Sequence, residues 1–147
     1  MAKQMRDREE LIQQLLNKAW ELRRLEDYDS SRAALTSALN LCHKSDHDHL
    51  GRIYNIKMQY ETDHDHFEKA LPYCKTALSF YLQTQNPNKI AHATRHLADI
   101  QSELNQLDEA ELNYSKAIDI YRYNIQASNG DFANALRGYA LLLEKKM

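Results

Sequence analysis

Histidine is the residue type that most invites a chemical reading of this chain. There are seven, and Asp-His-Asp-His is written twice, at 46–49 and at 63–66. Imidazole and carboxylate both ligate zinc and similar divalent ions. If these tetrads open helices, however, side chains two residues apart point about 200° apart around the axis and cannot share an ion. Aspartate in a first helical turn also complements the helix dipole without any metal. His92 and His96, four residues apart, share a helical face and offer two imidazoles, but the glutamate of an HExxH signature is absent. The reading is no metal and no cofactor. Nothing assembles for catalysis: the chain has no phosphate-cradling glycine loop and no nucleophile elbow, and its Ser, His and Asp residues are scattered. No catalytic residue is assigned, and the chain is read as a non-enzyme.

Residues suited to recognition are more informative. Arg95 and Arg137 stand 42 residues apart in equivalent surroundings, and a guanidinium offers a planar fork of donors that fits carboxylates and backbone carbonyls. Trp20 is the only tryptophan, and an aromatic beside arginine is the composition of a binding hot spot. The formal net charge is −2 with both signs intermixed, which leaves no basic face for a nucleic acid backbone. No run of about 18 apolar residues occurs, so no membrane partner is expected. The charged start from Lys3 lacks a secretory apolar run, and Cys42 and Cys74 show no CxxC spacing; both point to a cytoplasmic protein with reduced cysteines.

The elements that must position these residues are set by an internal repeat. Tyr28, Phe67 and Leu107 are 39 and 40 residues apart, and each is followed ten residues on by alanine: Ala38, Ala77 and Ala117. Nine residues before them stand Ala19, Met58 and Ala98, with a further echo at Ala140. Apolar residues recur at three- and four-residue steps, as at Leu11, Leu15, Ala19, Leu22 and Leu25, so each period holds two helices. Breaks are expected at 27–31, 44–48, 62–66, 85–88, 105–108 and 128–131, which gives seven helices. Asn86-Pro87 reads as a helix start, with asparagine as cap and proline at the first helical position.

The third period carries Leu107, Ala110, Tyr114 and Ala117 after Leu97-Ala98, an alternation of small and aromatic residues that resembles the tetratricopeptide repeat. The second carries Phe67, Ala70, Cys74 and Ala77, with Pro72 and a long period similar to kinesin light chain-like repeats. In the first, Ser31 replaces the expected alanine, and in the third, Gln101 stands where an aromatic is common. The resemblance implies an all-α fold: a right-handed α-solenoid of antiparallel helix pairs, three units plus a terminal helix. One domain is expected over 1–147, with units at about 11–43, 46–84 and 88–127 and the terminal helix at 131–146. In that helix, Tyr139, Ala140 and Leu143 are expected to cover the third unit.

The resemblance also implies a protein-interaction scaffold that binds a peptide or protein segment in a groove lined by the first helix of each unit. The groove candidates are Trp20, Arg52, Asn55, Gln59, His92, Arg95, Asp99, Asn134 and Arg137. The carboxylate clamp of chaperone-binding family members is not expected, because its positions hold Leu16, Trp20, Ile56, His92 and His96. The alternatives are self-association as a homodimer through the terminal helix, by the row Leu136, Tyr139 and Leu143, or a sensor or adaptor region of a larger regulator.

Overall fold

The computed structural model describes residues 1–124 and 129–147; Ser128, expected in the last break, lies outside the described residues. The described residues form seven helices and no strand. They are α1 (Ala2–Arg24), α2 (Tyr28–Leu41), α3 (His47–Asp63), α4 (Phe67–Thr84), α5 (Pro87–Glu103), α6 (Leu107–Arg122) and α7 (Asn129–Lys146). They pack most closely as three successive hairpins, α1/α2, α3/α4 and α5/α6, with α7 against α6.

The repeat spacing is a spacing of helix starts. Tyr28, Phe67 and Leu107 are the first residues of α2, α4 and α6. Two residues before each, the chain turns through the left-handed region, at Glu26 (φ 63°), Asp65 (φ 60°) and Asn105 (φ 62°). The next amide in each case, on Asp27, His66 and Gln106, donates back to Leu22, Glu61 and Gln101 at 2.8–2.9 Å. This is the Schellman closure, built three times without glycine, and it satisfies carbonyls that the helix end would otherwise leave open. At the fifth helix the Asn86 side chain accepts from the amides of Asn88 and Lys89, with Pro87 in the first turn, as the sequence indicates.

Several expected boundaries move. The polar clusters read as breaks are largely first turns of the following helix, because short polar residues that disfavour helix interiors are favoured at helix starts. α1 begins at Ala2 rather than near residue 11, and its added turns are anchored: Arg8 donates to the Leu41 carbonyl at 3.0 Å and to Asp46 at 2.7 Å. The second Asp-His-Asp-His does not open a helix; it closes α3 and spans the turn into α4.

Inside the hairpins the repeated small residues let backbones approach. Ala19, Ala38, Ala70, Ala98, Ala110 and Ala117 are all 0% exposed. Ser31, the departure from alanine, is equally buried, and its hydroxyl bonds to the Ala19 carbonyl and, at 2.7 Å, to the Tyr60 hydroxyl, so one polar atom ties α2 to α1 and α3. Gln101 is buried and accepts from Asn113 at 2.7 Å. Gly138 is required by close approach: a Cβ there would lie 2.7 Å from the Tyr114 ring of α6. α7 covers the third unit with Ala135 and Leu142, both 0% exposed, and with partly buried Phe132 and Tyr139. Ala140 and Leu143, expected in that role, are exposed. The stripe against α6 therefore lies to one side of the one read from the sequence.

Candidate functional site

The odd-numbered helices present a polar face whose centre is α5. The four-residue steps from His92 to His96 and from Arg95 to Asp99 place these side chains on one stripe, where they bond to one another. Arg95 Nη1 donates to Asp99 Oδ2 at 2.9 Å, and the Tyr114 hydroxyl donates to Asp99 Oδ1. Arg95 Nη2 stands 3.4 Å from His96 Nε2, which is 3.0 Å from His92 Nε2. A guanidinium can only donate, so His96 Nε2 is the bare, accepting nitrogen, and His92 donates to it through Nε2–H. The His96 ring is then neutral.

The electrostatics agree. Burial and the neighbouring Arg95 push His92 below its ordinary value; burial, His92, Arg95 and Arg23 push His96 well below it. Burial raises the Asp99 carboxyl, against the opposing pull of Tyr114 and Arg95. Arg23 is held at 2.7 Å by Asp63, which also accepts from Tyr28 at 3.2 Å.

Beside this network a cavity of about 630 Å³ opens where α3, α5 and α7 come together over Phe67 and Tyr114. Thr62, His96, Asp99 and Leu141 line it, with Glu103 and Glu144 among the residues at its wall. Leu141 is 54% exposed. Lys145 contributes its stem while its ammonium donates to the Ser102 hydroxyl at 3.1 Å. Nearby polar atoms are not all satisfied: buried Asn55 Oδ1, Arg23 Nε and Arg95 Nε have no hydrogen-bond partner among the described residues.

The candidates named from the sequence divide into groups. His92, Arg95 and Asp99 come together. Trp20 is half-buried against the Ile12 and Leu16 cluster, with the Arg23 guanidinium over its ring at 4.3 Å. Arg52 donates to Asn17 of α1 at 2.8 Å, Gln59 is half-buried beside Thr62, and Asn134 accepts from Arg137 at 2.9 Å on the exposed side of α7. Sequence reasoning did not place Tyr114 at this face, whereas Leu141 falls on the stripe read for the last helix. Tyr114 reads as a packing aromatic, and nothing local reveals that its hydroxyl reaches Asp99. The histidine tetrads have protein partners: Asp46 with Arg8, His49 with Glu9 at 2.9 Å, Asp63 with Arg23, and His64 with the Tyr60 carbonyl at 2.8 Å. Among the described residues no three His, Cys, Asp or Glu side chains converge as a metal site, and no helix is long and apolar enough to cross a membrane.

Repeated helical hairpins that turn one polar face to a common side define a helical-repeat protein, a class built to present surface. A family model described as "Tetratricopeptide repeat" matches residues 52–122, from the second turn of α3 to the end of α6. Over residues 52–122 the chain carries tetratricopeptide repeats. Such repeats generally mediate protein–protein interaction and are typically non-enzymatic. No curated protein matches the chain.

Proposed function

We propose that this protein is an interaction scaffold whose groove, on the faces of α3, α5 and α7, binds a segment of a partner protein by one apolar anchor. The cavity of about 630 Å³ beside Leu141 carries this reading. Its walls join apolar surface to a few convergent polar groups, the usual composition of a recognition pocket. Glu103 and Glu144 at the wall favour a basic residue next to the anchor. Arg95 itself, 12% exposed and bonded to Asp99, is a pillar of the groove rather than a free contact. Two free thiols, with burial pushing Cys42 to about 11 and Cys74 to about 12, suit work in the reducing cytoplasm.

The test is selection of binding peptides from a random library on the intact protein, followed by titration of the winners into wild type and Leu141→Arg. The expected result is an apolar–basic motif, amide shifts centred on Thr62, His96, Asp99 and Leu141, and at least about tenfold weaker binding to the variant with its helical circular dichroism unchanged. Shifts centred on α2, α4 and α6 instead, or equal affinity for L141R, would overturn the groove assignment.

A further inference from the structure

The last helix carries a second surface, distinct from the groove. α5 and α7 are equivalent at an offset of 42 residues, so each buried position of α5 identifies what its counterpart on α7 is shaped for. One face of α5 packs on the preceding helix α4: Ala93 with Ala77 and Tyr81, and Ile100 with Cys74. Its counterparts on α7, Ala135 and Leu142, pack in the same way on α6. The other face of α5 is Ala91, Thr94, Ala98 and Gln101, at 0%, 5%, 0% and 6% exposure. α6 covers it: Ala91 meets Ala117 and Tyr121, Ala98 meets Ala110 and Tyr114, and Gln101 bonds to Asn113. The counterparts on α7 are Ala133, Leu136, Ala140 and Leu143, and all four are exposed. This face has the shape of a helix-packing surface, with leucines 43% and 40% exposed.

The stripe is also self-complementary. Leu136 and Ala140 lie two residues either side of Gly138, and Ala133 and Leu143 lie five either side. All four are on the side of the helix opposite Gly138 at 3.6 residues per turn. A two-fold axis through that side, relating antiparallel helices, sets Leu136 of one copy against Ala140 of the other and Leu143 against Ala133. Every large residue then faces a small one.

We infer that the open face of α7 is a homodimer interface in which two copies pair their terminal helices antiparallel about Gly138, each taking the place that α6 takes against α5. The groove is left open, so the pairing yields a bivalent scaffold. One helix per copy is a small interface, and dissociation in the range of about 10–100 µM is expected.

Sedimentation equilibrium from about 1 to about 500 µM, a span bracketing that range, tests the pairing on the intact protein. Three variants share the measurement, with urea unfolding to confirm that each remains folded. Wild type should pass from monomer to dimer. L136E/L143E should stay monomeric throughout. A133L/A140L, which sets leucine against leucine, should dimerise at least about tenfold more weakly. The exchange L136A/A140L, which keeps large against small under the two-fold axis, should stay within about threefold of wild type. A monomer at every concentration, or a dimer that survives L136E/L143E, overturns the interface. An exchange variant as weak as A133L/A140L overturns the antiparallel geometry. A monomeric protein that binds a synthetic peptide of residues 107–123 assigns the face to another protein's helix and also overturns the dimer.

Discussion

α5 and α7 hold the same place in successive repeats, yet α5 is roofed by α6 on one side and backed by α4 on the other, whereas α7 packs on α6 with a smaller contact to α5, and no described helix covers its other side. Alanine repeats at position 98 and position 140, but the first is 0% exposed and the second open to solvent. The α5 stripe that bears His92, Arg95, His96 and Asp99 becomes Asn134, Arg137, Gly138 and Leu141 on α7. Enclosure on α5 thus coincides with a bonded, charge-balanced network. The corresponding part of α7 carries an exposed leucine at the cavity and a glycine that admits Tyr114. Position in a repeat fixes which way a side chain points. Neighbours decide what pointing that way means.

The sharpest break of this comparison is Tyr114→Ala, because Tyr114 meets Asp99 on α5 and Gly138 on α7 at once. Removing a buried aromatic of this size should cost about 3–5 kcal/mol, and α7 should lose amide protection before the rest of the chain. Denaturant unfolding with hydrogen exchange checks both. A loss below about 1 kcal/mol, the scale of a surface change, would mean that α6 does not clamp the two helices together.

Next comes a matched pair. Ala98→Leu overfills the α5/α6 seam and should cost about 1–3 kcal/mol, whereas Ala140→Leu on the open face should stay within about 0.5 kcal/mol of wild type, measured at a concentration where the chain is monomeric. Equal costs would mean that the two faces differ less than their exposures indicate.

The smallest effect is the pH response of α5, which α7 lacks because Asn134 and Gly138 do not titrate. The folded protein holds His92 and His96 below their ordinary values, so on acidification the unfolded chain takes up protons first. Their contribution is complete above the unfolded value of about 6.5 and is lost as pH falls through the folded values. Arg23, Arg95 and Asp131 are the charged groups facing the pair. Between pH 7.5 and 5.5, a window set around that unfolded value, H92Q/H96Q should lose about 3 °C less in Tm than wild type. Asp99, raised by burial, works in the opposite direction and is present in both proteins, so the comparison with H92Q/H96Q sets it aside. Parallel melting curves would separate the histidines from the acid response.

Much of the fold was legible because a helical repeat is written in short-range terms. The 39- and 40-residue spacings, the alanine partners and the Asn86-Pro87 cap each depend on residues a few positions apart. Boundaries were less legible: Tyr28 and His47 lie in polar runs that read as breaks yet are the first residues of α2 and α3, since a polar first turn and a loop look alike in composition. The Asp-His-Asp-His tetrads looked like chemistry. They are a helix start tied to Arg8 and a helix end tied to Arg23, partners 38 and 40 residues away.

For the site, the sequence by itself determined the stripe, because His92, Arg95, His96 and Asp99 follow from helical periodicity once α5 is placed. It could not determine that Asp99 would be met by Tyr114, that Trp20 would lie half-buried beneath Arg23, or that α7 would turn Leu142 inward and Leu143 outward. Those outcomes depend on the angle at which one helix crosses the next, and a rotation of about 100°, one residue's step, exchanges the two leucines. Periodicity fixes residues relative to their own helix axis. Only the packing of all seven helices fixes that axis relative to its neighbours, and with it which face is buried in the core and which stays open.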